Sequence, residues 1–170
     1  MKDDELIKQI LLGNETAAEE LIKRYYPSIL RYCKWHCGSI EKAEDLAQET
    51  FLKLFQSMSD YKGKGKFRAY LYTIANHLCV DESRKIRFYP LEDEENLTQE
   101  CDEILQLEDG EEIKYLLSFL SSEQKEAVIL RFCEQLSFAE IAKVTGCNIR
   151  TVQSRVRLAL MIMRKRRHDD

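Results

Sequence analysis

The sequence has few of the residues that break helices or turn a chain sharply. Its 170 residues include six glycines and two prolines. Stretches of Val, Ile or Thr alternating with polar residues, which indicate strands, do not occur. Apolar residues instead recur at helical spacing along most of the chain. We therefore predict an all-α protein.

Long apolar runs are also scarce. The longest uncharged one, Leu158 to Met163, has six residues, whereas a bilayer span needs about 20. The N-terminus, MKDDELIKQI, is charged and amphipathic and lacks the apolar core of a signal peptide. With 44% hydrophobic and 33% charged residues, the chain can bury a core and stay dissolved. We expect a cytoplasmic protein.

Residues that carry enzyme chemistry are sparse. The sequence has no glycine-rich phosphate loop, and its three histidines are far apart. We predict no catalytic residue, cofactor, metal or small-molecule substrate. The segment CKWHC is the one candidate metal or redox site, because Cys33, His36 and Cys37 share a helix face. Since one helix offers only three ligands, we prefer reduced, buried thiols with an incidental histidine.

The charge is unevenly distributed. The net charge is −4, but the segment from Glu92 to Glu112 contains eleven acidic and no basic residues. Without that segment, basic residues outnumber acidic ones by seven. Because binding to a polyanion depends on local charge, two basic halves joined by an acidic linker remain compatible with nucleic-acid binding.

Helix signals divide the chain into two small helical domains. We predict domains at 1–90 and 112–170, with a flexible acidic linker at 91–111 that has at most a weak helix. The predicted helices cover 3–12, 14–37, 40–57 and 67–87 in the first domain, and 111–120, 122–133, 137–144 and 149–166 in the second. Pro27 is a possible kink, and Pro90 ends the first domain.

The segment LSFAEIAKVTGCNIRTVQSRV has the pattern of a helix-turn-helix. Ser137 and Glu140 have the spacing of a capping box, and Gly146 suits the tight turn between two helices. Asn148 is a candidate N-cap for the second helix. At about 100° per residue, that helix has an apolar back and a cationic front, as reading a major groove requires. The back comprises Val152, Val156, Ala159 and Met163.

Leu158 and Met161 do not fit this pattern, because both fall on the polar side of the helix. Two interpretations are open. An earlier helix of the same domain covers the pair, or the pair docks another protein.

The N-terminal half contains a second segment of interest, EDLAQETFLKLFQSMSDYKGKGKFRAYLYTIANHLCVDESRK. A lysine-glycine loop precedes a helix that interleaves aromatic and cationic residues. Such a surface suits single-stranded DNA, where bases stack on rings and cations follow phosphates. Aromatic residues at helical spacing are also typical of a core.

Taken together, these segments resemble the extracytoplasmic-function sigma factors of bacterial RNA polymerase. EDLAQETFLKLF looks like the family's polymerase-binding segment, KFRAYLYTIANHLCVDESRK its promoter-melting helix and LSFAEIAKVTGCNIRTVQSRV its −35-reading module. The motifs occur in the family's order and spacing. The chain departs from the family's pattern at Tyr70, at Asn76-His77 and at Leu158 and Leu160.

The resemblance implies three sets of site residues. The clamp coiled coil of the polymerase's largest subunit would bind Asp45, Leu46, Gln48, Glu49, Phe51 and Leu52. The opened −10 strand would bind Tyr61, Lys62, Lys64, Lys66, Phe67, Arg68, Tyr70, Tyr72 and Asn76. The −35 major groove would receive Arg150, Thr151, Gln153, Ser154, Arg155 and Arg157. The resemblance also implies an anti-sigma factor as a partner.

Two other functions are compatible with parts of the sequence. A free-standing helix-turn-helix regulator explains the C-terminal half but leaves the lysine-glycine loop and EDLAQETF unexplained. A sigma-like interaction module, or decoy, is favoured by Leu158 and Met161, whereas the retained basic loop argues against it.

Overall fold

The computed structural model describes residues 1–86 and 110–168. Pro90 and the predicted linker up to residue 109 lie outside the described residues. The described ranges contain helices and no strand, which confirms the all-α prediction. The helices are α1 (Asp3–Leu11), α2 (Glu15–His36), α3 (Ile40–Ser57), α4 (Phe67–Ile86), α5 (Gly110–Leu117), α6 (Ser122–Val128), α7 (Phe138–Thr145) and α8 (Ile149–His168).

Helices α1 to α4 pack around one core in the N-terminal half. Leu6 of α1, Leu21 of α2, Leu54 of α3 and Leu71 of α4 are fully buried there. Helix α2 continues through Pro27 without a break in its range. The predicted cap at the start of α2 is confirmed, because the Asn14 side chain accepts a hydrogen bond from a backbone N–H of the first turn.

The thiols of the N-terminal half belong to this core. Cys33, Cys37 and Cys79 are buried and reduced, and the Sγ atoms of Cys33 and Cys79 are 3.9 Å apart. His36 instead directs its imidazole at a carboxylate of the C-terminal half. The described residues contain no group of three His, Cys, Asp or Glu side chains that could hold a metal ion. The burial of the two thiols and the contact of His36 with the other half support the buried-thiol interpretation of CKWHC.

The C-terminal half differs from the sequence prediction in two elements. Helix α5 ends at Leu117 rather than near residue 120, because a tight turn over 118–120 leads into the capped start of α6. The helix predicted over 122–133 changes at Ile129 into a π-helical turn that ends at Cys133. The Glu134 N–H bonds to the Ile129 carbonyl five residues back, and Gln135 takes a left-handed φ of 59°.

Helices α7 and α8 form the predicted helix-turn-helix. Ser137 and Glu140 make the reciprocal side-chain to backbone bonds of a capping box, 3.1 and 3.0 Å long. Asn148 accepts a bond of 2.8 Å from the Thr151 N–H, which confirms the predicted N-cap. The predicted apolar back of α8 is buried at Val152, Val156 and Ala159, whereas Met163 is half-buried.

Gly146 holds the turn between α7 and α8. It ends α7 in the left-handed region, at φ 71°, and its N–H bonds to the Ala142 carbonyl. A side chain at this φ is strained even though no atom lies within 4 Å of the added Cβ. We expect Gly146→Ala to lower the free energy of unfolding by about 1 kcal/mol.

Urea denaturation of the full chain measures this cost. Gly146→Asn is the matched variant, because asparagine tolerates the left-handed region better than alanine does. An alanine variant as stable as the original chain would contradict the assignment of strain to this turn.

Candidate nucleic-acid interface

The lysine-glycine loop between α3 and α4 has a defined shape. Gly65 adopts φ 69°, and the Lys66 N–H donates a bond of 3.2 Å to the hydroxyl of Tyr61. Lys62, Lys64 and Lys66 are exposed, so the loop presents three cations to solvent. A cavity of about 280 Å³ opens between the loop and α4, lined in part by Tyr61, Lys66 and Tyr70.

The aromatic residues beside the loop have different environments. Phe67 is buried, with its ring edge-on to Tyr25 and Tyr61 at centroid distances of 5.3 and 5.9 Å. Tyr70 is half-buried, stacks at a tilt against Tyr61 at 5.3 Å and bonds to Ser57. Tyr61 and Tyr70 therefore offer partly exposed rings at the cavity, whereas Phe67 supports the loop from the core.

The remaining predicted −10 residues contact the C-terminal half. Arg68 donates bonds of 2.9 and 3.1 Å to the carbonyls of Glu134 and Gln135. The amide of Asn76 donates to Glu126, and the buried hydroxyl of Tyr72 donates to Glu134. Helix α4 also packs along α7. These side chains thus belong to the contact between the two halves.

Glu134 is the centre of this contact. Its side chain is fully buried and accepts two bonds from Arg31 of α2, at 2.9 and 3.0 Å, and one of 2.6 Å from Tyr72. Such a bidentate arginine-carboxylate pair is both strong and directional. The hydrogen bond to Glu134 raises the pKa of Arg31. Burial, followed by the nearby carboxylate of Glu134, raises the pKa of Tyr72. The guanidinium of Arg31 therefore stays charged and the phenol of Tyr72 stays protonated at neutral pH.

Glu126 makes a second contact of the same kind. It accepts hydrogen bonds from Tyr32 and Asn76 and lies 2.7 Å from the Nε2 of His36. Burial opposes its ionisation, but His36, Tyr32 and Asn76 outweigh burial and bring the pKa of Glu126 below its ordinary value of 4.5. The stabilisation from this carboxylate is therefore present above pH 4.5 and is lost as the pH falls below that value.

Sequence reasoning missed Arg31, Glu126 and Glu134 as functional candidates. Arg31 and Glu134 are 103 positions apart, and no local pattern links them. The one available signal is that Glu134 directly follows a mostly apolar stretch from Ala127 to Cys133, which only Arg131 interrupts. That signal gives no indication of a partner in the other half.

The predicted −35 residues are on the free side of α8. Arg150, Gln153 and Arg157 are exposed, and Thr151, Ser154 and Arg155 are half-buried. The guanidinium of Arg155 lies 3.6 Å from the Sγ of Cys147, which fixes its position at the start of the helix. The helix-turn-helix thus presents a cationic face to solvent while its first helix packs on α4.

Leu158 and Met161 are 48% and 60% exposed. The interpretation that an earlier helix covers them is therefore wrong. Two arginines near the end of α8 contact other elements of the C-terminal half. Arg166 stacks on the Phe119 ring at 4.2 Å, and Arg167 pairs with Glu112 of α5 at 3.3 Å.

The predicted polymerase-binding residues lie on α3. Leu46 and Phe51 are buried and fix the helix in the core. The other four predicted residues are exposed, and their spacing places them on one side of the helix: Asp45, Gln48, Glu49 and Leu52. This side combines one large apolar side chain, 57% exposed, with polar and acidic neighbours.

Comparison with known proteins identifies the family. Residues 21–88 match Sigma-70 region 2, and residues 110–163 match Sigma-70, region 4. The chain is 30% identical to the RNA polymerase sigma factor YlaC of Bacillus subtilis, over 91% of this chain and 94% of that protein. It is also 30% identical to the ECF RNA polymerase sigma factor SigC of Mycobacterium tuberculosis, over 91% of this chain and 87% of that protein.

A solved structure shares the fold. The sigma factor RpoE, in its complex with the anti-sigma factor NepR from Bartonella quintana, superposes with a TM-score of 0.66 at 22% identity, over 86% of this chain and 94% of that chain. The chain belongs to the extracytoplasmic-function family of RNA polymerase sigma factors. These are transcription initiation factors rather than enzymes. Among the described helices, none is both long enough and apolar enough to cross a bilayer.

The contact between the halves makes a direct prediction for Glu134→Gln. The change replaces a charged acceptor by a neutral amide against Arg31, so we expect the contact to weaken by about 2 to 3 kcal/mol. Small-angle X-ray scattering should then show a larger radius of gyration at neutral pH.

The control for this measurement is Glu112→Gln, which removes one partner of an ion pair whose side chains are 51% and 70% exposed. Exposed pairs contribute less than about 1 kcal/mol. Equal radii for the Glu134→Gln variant and the original chain would show that the carboxylate does not hold the halves together.

Proposed function

We propose that this sigma factor binds core RNA polymerase through α3 and reads two promoter elements with two separate surfaces. The observation that carries the proposal is the juxtaposition of a cationic loop, partly exposed aromatic rings and a cavity at the start of α4. We assign the N-terminal unit to residues 1–90, the linker to 91–111 and the C-terminal unit to 112–170. The site of action is the cytoplasm, where polymerase and promoter DNA meet.

The exposed side of α3 is the proposed contact for the clamp coiled coil of the polymerase's largest subunit. Leu52 supplies an apolar anchor, and Asp45, Gln48 and Glu49 surround it with polar groups. A buried apolar centre within a polar rim is the usual composition of a protein interface. Leu46 and Phe51 act from the core, because they set the orientation of the helix.

The loop and α4 form the proposed −10 site. The cavity beside Tyr61 and Tyr70 would take a base that leaves the duplex, and Lys62, Lys64 and Lys66 would hold the phosphates of the strand. Stacking and ion pairing there offset part of the cost of unstacking, which is a few kcal/mol for each flipped base. The site is therefore suited to trap a strand that has opened.

Use of the whole −10 surface requires the two halves to separate. In the described arrangement Arg68, Tyr72 and Asn76 bond to Glu134, Gln135 and Glu126. The N–H and O–H groups that donate to these acceptors are not available to DNA, so only part of the −10 surface can be used in this arrangement. We infer that polymerase binding shifts the protein from this closed arrangement to an open one.

The first turns of helix α8 form the proposed −35 binding surface. Arg150, Arg157 and Gln153 are exposed and carry the donors that contact guanine edges, adenine edges and phosphates. Thr151, Ser154 and Arg155 flank them on the same part of the helix. This face stays open in the closed arrangement, unlike the −10 surface.

An anti-sigma factor is the proposed regulatory partner. RpoE is seen in complex with the anti-sigma factor NepR and shares this fold. By analogy, the exposed pair Leu158 and Met161 is a candidate contact for such a partner or for polymerase.

Run-off transcription tests the proposal as a whole. Core polymerase is incubated with and without the protein on a pool of genomic promoter fragments. Discrete new transcripts from a subset of fragments would support promoter-specific initiation and reveal both promoter elements. Core binding without transcripts would favour the decoy, and a lack of core binding would favour a free-standing regulator.

The −35 assignment predicts a loss of transcription for Arg157→Ala. One direct base or phosphate contact contributes about 1 to 3 kcal/mol, so run-off product should fall by about tenfold at limiting protein. Lys23→Ala is the control, because it removes a positive charge from an exposed position on α2. Equal transcription by both variants would remove Arg157 from the −35 contact.

Leu158→Lys with Met161→Lys tests the exposed apolar pair. Because both side chains point to solvent, we expect an unchanged urea midpoint, and the two added cations should leave the affinity for promoter DNA at least as high as before. Affinity for a protein partner, either core polymerase or the anti-sigma factor, should fall by about tenfold or more, which is the scale of a binding hot spot. Unfolding of the double variant, or full affinity for both partners, would contradict this assignment.

A further inference from the structure

A carboxylate lies underneath the cationic −10 loop. Asp4, in the first turn of α1, accepts a bond of 3.0 Å from the Gly65 N–H and one of 3.3 Å from the Tyr61 hydroxyl. The same hydroxyl accepts the Lys66 N–H at 3.2 Å. One carboxyl group is thereby linked to both ends of the loop.

Helix α1 is firmly attached to the N-terminal half. Leu6 and Ile7 are buried in its core, and Asp3 bonds to Arg24 and Tyr25 of α2. This helix precedes the part of the chain that matches Sigma-70 region 2, which begins at residue 21. Asp4 therefore reaches the loop from a rigid element outside the matched region.

The loop needs such an anchor. It contains three lysines, which repel one another. Gly65 adopts the left-handed region, but a glycine also reaches other backbone conformations easily. The loop's backbone bonds to Asp4 and Tyr61 tie the turn down at Gly65 and Lys66. Tyr61 in turn packs against Phe67 and Tyr70, which places its ring at the cavity.

We propose that Asp4 is a positioning residue for −10 strand capture, and that it acts by holding the loop and the Tyr61 ring in the shape that receives the flipped base. The inference rests on the proposed function of the loop. An ordered loop does not lose conformational freedom when the strand arrives, so its affinity is higher than that of a mobile loop with the same residues.

The electrostatic effect of Asp4 has the opposite sign. Neutralising a carboxylate beside a phosphate backbone strengthens DNA binding, because it removes a repulsion. A weaker interaction after Asp4→Asn therefore cannot come from charge and must come from the loss of position. Glu5→Gln is the matched control, since it removes a carboxylate from the same helical turn, keeps an acceptor for the Lys2 N–H and leaves the bonds of Asp3 and Asp4 in place.

The first experiment follows the loop itself in the free, full-length protein. Amide hydrogen exchange at Gly65 and Lys66 should accelerate at least tenfold in Asp4→Asn and stay unchanged in Glu5→Gln. Tyr61→Phe, which removes the shared hydroxyl and keeps the ring, should accelerate exchange at Lys66. Unchanged exchange in Asp4→Asn and Tyr61→Phe would overturn the anchoring contact, whatever the loop binds.

The second experiment measures capture of the strand by holoenzyme. The probe is a forked fragment of a promoter found by run-off transcription, with a single-stranded −10 region. Asp4→Asn should bind it about tenfold more weakly while its affinity for core polymerase stays unchanged. The ratio between the affinities for the correct and an incorrect base at the flipped position should also fall. A general loss of stability would lower both affinities equally and leave this ratio unchanged.

Tyr70→Ala in the same assay separates the two levels of the proposal. If Tyr70→Ala weakens capture and Asp4→Asn does not, the positioning role of Asp4 is wrong and the −10 site stands. If neither change weakens capture, the −10 assignment itself is wrong and the role of Asp4 is lost with it. A parallel fall in core affinity for Asp4→Asn would show a structural role only.

Discussion

The arrangement of this sigma factor depends on one buried carboxylate, that of Glu134. It leaves the π-helical turn after α6, enters the N-terminal half and is held there by Arg31 and Tyr72. An ion pair with a buried carboxylate contributes little net stability, because desolvation of the carboxylate offsets its attraction to the arginine. It is nonetheless demanding in geometry, so it selects one relative placement of the two halves. Glu126 adds a second constraint of the same kind.

The backbone around Glu134 is shaped for this contact. The π-helical turn displaces the chain at Ile129, and the left-handed Gln135 turns its carbonyl toward Arg68. Both features are locally unfavourable compared with a regular α-helix. Together they place the carboxylate of Glu134 and the carbonyl of Cys133 in front of Arg31, and the carbonyls of Glu134 and Gln135 in front of Arg68. These charge-assisted bonds offset that cost.

The proposed sites differ in their accessibility in the closed arrangement. Residues assigned to the −10 strand are bonded across the contact, while the proposed −35 face of α8 and the proposed polymerase-binding side of α3 remain exposed. The proposed polymerase contact is therefore accessible in the free protein before the proposed −10 surface is. Such an order would restrict strand capture to holoenzyme, since the acceptors of the C-terminal half must be withdrawn first.

Local sequence patterns predicted most of the helices, the N-caps and the capping box. Asn14, Ser137 and Asn148 act over three residues of chain, so their partners are fixed by the sequence itself. The apolar back of α8 follows from helical periodicity for the same reason. The helix predicted over 122–133 ends where expected, but its last turn is π-helical, and the carbonyl of Cys133 in that turn accepts a bond from Arg31 of the other half.

The sequence by itself determined the helical class, the helix-turn-helix, the cationic loop and the family, because each depends on residues that are near neighbours in the chain. Tertiary structure alone decided how the halves meet and which predicted residues are bonded across that contact. It also decided that Asp4 supports the loop. Arg31 and Glu134 are 103 positions apart, and Asp4 and Gly65 are 61 apart. Their contacts exist only because helix packing closes those distances, and no local pattern encodes them.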